Sequence, residues 1–323
     1  MSEQQRNVGA ATAALNRGDV TTCIEIATRA ISDAVAKSSE TDAWWFRCLL
    51  AQCLGLQGHF QEALFWIDGD ESKLQLDAGF RAQLMIQRAF YLTQIGNYVL
   101  AKATLDRVES LAEAGSYPGI LSNIQLSKMT LFFYLADYDQ MENSARRALL
   151  AAGEDRAALT EAWAASGIGK SFMVRSHFEE AIRWYESAHA IFLRENLPFY
   201  AAQMRSELGC CYHGIGDDEK ALECFSEALK ASLDADAMPG YQINLANIGN
   251  IHLRRGEYSA AVSRYQEALE IARKLGDTIS VSKWLRNLAL TYSQMGNPAL
   301  AASFQRQADM ATADVEKARA AVR

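Results

Sequence analysis

The chain has 323 residues, half of them apolar, with only four prolines and a formal charge of −7. An acidic surface repels phosphate backbones, which argues against nucleic acid as a partner, and no run of 18 or more apolar residues is present to cross a bilayer. The N-terminus, Met1 to Gly9, is polar and lacks a signal-peptide core; six cysteines without framework spacing read as reduced thiols, and these features together predict a cytoplasmic protein.

Self-similarity organises the rest. In chain order the pattern Gly–polar–aromatic–x–x–Ala appears as Gly18 with Cys23, Gly58-His59-Phe60 with Ala63, Gly96-Asn97-Tyr98 with Ala101, and Ala136-Asp137-Tyr138 with Met141. It continues as Ser176-His177-Phe178 with Ala181, Gly216 with Ala221, Gly256-Glu257-Tyr258 with Ala261, and Gly296 with Ala301. The anchors at 18, 58, 96, 136, 176, 216, 256 and 296 step by 40 residues, apart from one step of 38.

Both flanks of each anchor carry helical periodicity. After Gly256, Tyr258, Ala261, Val262, Tyr265, Ala268, Leu269 and Ala272 follow the i, i+3, i+4, i+7 spacing of one buried stripe, and Tyr258 is expected among its buried aromatics. Glycine at the anchor permits a tight reversal, and Gly153-Glu154-Asp155, Pro239-Gly240 and Gly276-Asp277 punctuate the joins between units. The prediction is an all-α chain of eight antiparallel helix pairs, one domain over residues 1–323. The stretch 310–323 forms a capping helix or an extension of the last one.

The stripe resembles the tetratricopeptide-repeat signature, W-x2-L-G-x2-Y followed by A-x3-F-x2-A. Around Gly216 the matching residues are Leu208-Gly209, Tyr212, Ala221, Phe225 and Ala228; in the next unit they are Leu245, Ile248-Gly249, Tyr258, Ala261, Tyr265 and Ala268. A 40-residue period is similar to the subgroup found in Pins-type polarity proteins, kinesin light chains and bacterial regulators. Asn247-Ile248-Gly249-Asn250 resembles that subgroup's NLGN element.

The resemblance implies a right-handed superhelical solenoid whose first helix in each pair lines a concave groove. Carried onto this sequence, the groove positions give Trp45, Phe90, Phe133 and Trp163 as aromatic contacts. Lys170, Asn247, Asn250, Arg254, Lys283, Arg286 and Asn287 give a polar, cationic half. Asparagine amides hold an extended backbone, and Lys and Arg favour carboxylates. The expected partner is therefore a protein or peptide segment with an acidic portion, bound by a scaffold or adaptor. The alternative is a sensor or oligomerisation module of a larger signalling system, in which homo-oligomers form.

No catalytic residues, metal or cofactor are assigned. Gly167-Ile168-Gly169-Lys170-Ser171 looks like the end of a phosphate-binding loop but falls in phase with a helix, with Ala164 where the motif needs glycine. Cys210-Cys211 with His213 lacks a second ligand pair, and Asp68-Gly69-Asp70-Glu71 lacks the ligand pattern of a calcium loop.

Overall fold

The computed structural model describes residues 3–16, 18–37, 39–68, 77–115, 118–152 and 157–322. Among them sixteen helices follow one another without a strand. They are α1 (Glu3–Asn16), α2 (Val20–Ala36), α3 (Glu40–Gln57), α4 (Phe60–Ile67), α5 (Ala78–Gln94), α6 (Tyr98–Gly115), α7 (Pro118–Tyr134) and α8 (Tyr138–Ala152). The second half comprises α9 (Ala157–Val174), α10 (Phe178–Arg194), α11 (Pro198–Ile215), α12 (Asp218–Asp234), α13 (Met238–Arg254), α14 (Tyr258–Leu275), α15 (Thr278–Gln294) and α16 (Pro298–Ala320). Odd-numbered helices are the first of each pair. Of Asp68–Glu71, only Asp68 falls within the described residues, as do none of Gly153–Asp155.

Each anchor is the residue at which the backbone turns left-handed. All eight have positive φ, from Ala136 at 57° to Gly216 at 90°. The next amide then bonds back to the carbonyl five residues earlier, as in His59 N to Leu54 O at 2.8 Å and Asp217 N to Tyr212 O at 2.9 Å, the Schellman closure of a helix end. That same next residue starts the following helix: Asp19, Asp137, Asp217 and Asn297 each accept a side-chain bond from the amide three residues on. The polar position of the pattern is therefore a helix cap.

Two anchors are not glycine, Ala136 (φ 57°) and Ser176 (φ 63°). A left-handed L-residue costs about 1–2 kcal/mol, against roughly 0.5–1 for glycine's extra chain freedom. Ala136→Gly is accordingly expected to raise stability by about 0.5 kcal/mol or slightly more in urea melts; a loss would show that the anchor carries no strain.

Within a pair, a small residue on the first helix admits an aromatic from the second. A Cβ on Gly209 would stand 2.6 Å from the Phe225 ring, and one on Gly249 would stand 2.9 Å from that of Tyr265. Gly169, inside α9, packs the same way on Tyr185, so 167–171 is helix and not a phosphate loop. Ala63, Ala101, Ala181, Ala221 and Ala261 are fully buried between the paired helices.

The array winds tightly enough for its turns to touch. A Cβ on Gly18 would lie 3.2 Å from Ala235 and 3.5 Å from Phe199; forty residues on, one on Gly58 would lie 2.9 Å from Pro239 and 2.7 Å from Leu275. Gln57 Nε2 donates to Asp236 Oδ2 at 2.6 Å across the same seam, and Leu56 packs on Phe199, Ala235 and Ala237. Residues 310–320 continue α16, and near its end Arg319 Nε donates to the Tyr134 carbonyl at 2.8 Å. The odd-numbered helices consequently face an interior channel closed off along one side, and not an open trough.

Candidate functional site

The repeat register places the channel wall. Stepping from Trp45 by one short and then full repeats gives Gln83, Asn123, Trp163, Gln203, Ile243 and Lys283; from Leu49 it gives Gln87, Ser127, Gly167, Glu207, Asn247 and Asn287. Starting at Gln52 it gives Phe90, Thr130, Lys170, Cys210, Asn250 and Leu290.

In repeats five to eight the second and third rows bond to each other, diagonally from one helix to the next. Lys170 Nζ meets Glu207 Oε2 at 2.7 Å, Asn247 Nδ2 donates to Cys210 Sγ at 3.5 Å, and Asn287 Nδ2 donates to Asn250 Oδ1 at 3.0 Å. Tyr265 Oη donates to the same Asn250 oxygen at 2.7 Å. Burial works against the Lys170 charge, but the Glu207 carboxylate holds its pKa above the ordinary lysine value. Burial likewise pushes the Cys210 thiol up to about 12, where it is a neutral small hydrophobe.

The ladder stops where its next rungs would be Thr130 with Gly167 and Phe90 with Ser127, pairs too short or apolar to bond. There the channel widens into a cavity of about 630 Å³, walled by Ile86, Phe90, Leu126, Met129, Trp163 and Tyr200. Gln52, Gln83, Gln87, Asn123 and Gln203 place amides around that apolar wall. Trp163 meets Tyr200 edge-on at 5.3 Å and Phe192 at 4.9 Å, which fixes its ring. Gln87 Nε2 is held by the Cys48 carbonyl at 3.0 Å, and Asn123 Nδ2 reaches Gln83 Oε1 at 3.5 Å.

Of the residues the sequence singles out, Phe90 and Trp163 line this cavity. Phe133 is not among its walls; it is half-buried, with the Lys170 ammonium 5.4 Å from its ring centre. Trp45 is apart from it, 47% exposed and leaning on Phe80. Asn247, Asn250 and Asn287 are ladder rungs. Arg254 is clamped by Asp218 and by the His213 carbonyl at 2.8 Å, and Arg286 donates to Thr312 Oγ1 at 2.6 Å.

His213 Nδ1 lies 2.9 Å from Asp218 Oδ1, yet burial and the Arg254 guanidinium hold its pKa down to about 4. Among the described residues no three His, Cys, Asp or Glu side chains gather as metal ligands, and no helix is long and apolar enough to cross a membrane.

Lys283 is different. It stands in the channel-wall row with its side chain exposed, and makes no ion pair or side-chain hydrogen bond among the described residues. Partial desolvation by the surrounding helices and then the Lys170 charge pull its pKa below the ordinary lysine value. The other charges near it are engaged: Glu207 with Lys170, Asp277 with Gln242 and the Ser280 amide, Arg319 with Glu316. Asp277 and Glu207 offset part of the Lys170 repulsion, and the Lys283 ammonium is left without a direct bond among the described residues.

Gln83, Asn123, Gln203 and Tyr200 are absent from the sequence-derived site. The first three share the register row of Trp45, Trp163 and Lys283, so extending that row would have found them. Tyr200 reaches the cavity by the crossing of α11, which no single repeat encodes.

An all-helical repeat array with a lined interior channel is the class that fold and site define. The tetratricopeptide-repeat family model matches residues 160–234 and 241–308, so the chain carries tetratricopeptide repeats there, and the anchors before residue 160 continue the same period with the same turn geometry. Two curated relatives match short segments. The 43 kDa receptor-associated protein of the synapse from Tetronarce californica is 28% identical over 90 residues, and a Tonsoku-like protein from Danio rerio is 25% identical over 97. Those segments cover 28% and 30% of this chain but only 22% and 7% of the relatives' own length.

Solved structures match over much more of the chain. The Rap conjugation gene regulator of plasmid pLS20, in complex with the Phr* peptide, superposes with a TM-score of 0.70 at 13% identity, covering 87% of this chain and 77% of that one. A Rap protein complexed with Competence and Sporulation Factor gives 0.64 at 14% identity over 98% and 99%. A signal-transduction ATPase with a tetratricopeptide-repeat sensor from Pyrococcus horikoshii gives 0.56 at 14% identity, over 94% of this chain and 47% of that one. At these identities the likeness is one of fold.

Proposed function

We propose that this chain binds a short, extended peptide or partner segment inside its channel, acting as an adaptor or regulatory module and not as a catalyst. The observation that carries the reading is the cavity between repeats two and six. Its volume falls within the roughly 300–1,000 Å³ of ligand pockets, and it combines an apolar wall with a few convergent polar groups. Amides around that wall can hold peptide N–H and C=O groups whatever the side chains are. Two structures of similar fold hold a Phr* peptide and Competence and Sporulation Factor, which supports the reading without naming this chain's ligand.

The ligand carries a carboxylate directed at Lys283. Its ammonium has no direct partner among the described residues, and a carboxylate beside it gains a charge-assisted bond. The acidic portion predicted from the sequence therefore narrows to one position, because Arg254, Arg286 and the asparagines already have partners. A second reading, a sensor segment of a larger switch, is favoured by the similar array in the Pyrococcus ATPase, where the repeats form its sensor. Five of the six cysteines are buried free thiols, which suits the reducing cytoplasm.

The test is capture from pools of randomised hexapeptides, made with and without Asp and Glu and with free or amidated C-termini. Wild type is expected to retain carboxylate-bearing peptides about tenfold better than neutral ones, and Lys283→Met to lose that preference while keeping neutral binding. Ser127→Trp, which fills the cavity, should abolish capture altogether. Equal capture by wild type and Ser127→Trp would put the interface elsewhere.

A further inference from the structure

A clasp formed by the end of the chain is carried by independent observations in α16. This helix runs 23 residues, whereas α10, α12 and α13 each run 17. Its inward stripe, Ala311, Val315, Ala318, Arg319 and Val322, keeps helical spacing beyond the length needed to cover α15. Ala318 and Val322 leave repeat eight and pack on the cluster of Tyr98, Leu105 and Leu131 in repeats three and four. Arg319, with only 19% of its side chain exposed, donates to the Tyr134 carbonyl 185 residues earlier. A polar end cap would show none of these contacts.

We propose that the last turns of α16 are a clasp that holds repeat eight against repeat four and governs entry of ligand to the channel. The inference rests on the channel being the binding site. Elsewhere along the seam, around Gly18 and Gly58, both partners are followed by further repeats that tie them in place. At the clasp the bond from Arg319 and the packing of Ala318 and Val322 make the join, and so few contacts open at a low free-energy cost.

Its position also links it to the ligand: a ligand held in the channel contacts both walls that the clasp joins, so occupancy and closure reinforce each other, as linkage requires.

The experiment uses full-length Arg319→Gln and Val322→Asp chains with 8-anilinonaphthalene-1-sulfonate, an anionic apolar dye, as the probe. Stopped-flow fluorescence is expected to show dye association and release both faster by about tenfold, the factor that one charge-assisted hydrogen bond supplies. Small-angle scattering should give a larger radius of gyration, and amide exchange should quicken around Tyr98 and Tyr134, with helix content unchanged. Unaltered dye rates and unaltered dimensions would overturn the clasp and leave α16 a plain terminal helix. If Val322→Asp loses helix beyond α16, Arg319→Gln decides alone, since it removes only the bond to Tyr134 and the exposed ion pair with Glu316. Dye binding that persists in Ser127→Trp would instead count against the channel as the site, while scattering and exchange still judge the clasp.

Discussion

Tyr265→Ala is expected to lower the stability of the chain by about 3–5 kcal/mol in urea melts, as large aromatic truncations do in close-packed interiors. Tyr265 is 0% exposed, its ring fills the space left by Gly249, and its hydroxyl donates to Asn250. The truncation opens a cavity between α13 and α14 and removes a donor from the rung that joins Asn250 to Asn287. Tyr265→Phe separates the two contributions: it keeps the ring and should cost only about 1 kcal/mol. A loss below 1 kcal/mol for the alanine variant would mean that the paired helices repack freely. Tyr258, expected from the stripe to be just as buried, is only half-buried, and its truncation should cost less than that of Tyr265.

Gly58→Ala should be markedly worse than Gly96→Ala, although both glycines have left-handed φ values, 89° and 80°. The backbone cost, about 1–2 kcal/mol, is common to both. At Gly96 a Cβ meets nothing within 4 Å, whereas at Gly58 it strikes Leu275 and Pro239 of the next superhelical turn. Overpacking of that kind adds roughly 1–3 kcal/mol. The difference between the two variants therefore measures the seam, and a Gly58→Ala chain should also scatter X-rays as a more extended particle. Equal losses for both would show that the turns of the array are not in firm contact.

These cases mark what a sequence can and cannot disclose about such a molecule. The turns were legible because every requirement is local: a residue tolerant of left-handed φ, then a side chain able to cap the next helix, both within two positions of each anchor. Phe90 and Trp163 were legible because the repeat register fixes which side of a helix faces inward. The partners of Asn247, Arg254 and Arg286 were not, since those bonds link a residue to one on another helix, some 26 to 41 positions away. Least legible was the seam. The pitch that brings Gly58 onto Pro239 is the sum of small rotations over several repeats, and a slight change in each would have left the channel open.

The seam also changes how the chain comes to be folded. In a linear array each unit answers only to its neighbours, so folding starts anywhere and the ends fray independently. Here Gln57 and Asp236 are 179 residues apart in sequence, and Tyr134 and Arg319 are 185 apart, so the closing contacts come after nearly all the helices exist. Such distant pairings raise contact order and slow the final step. During synthesis the first four repeats emerge with that surface bare, waiting for the last four. Once closed, the two halves lend each other stability, and damage near Gly18 is felt at Phe199 and Ala235 as directly as in the repeat next door.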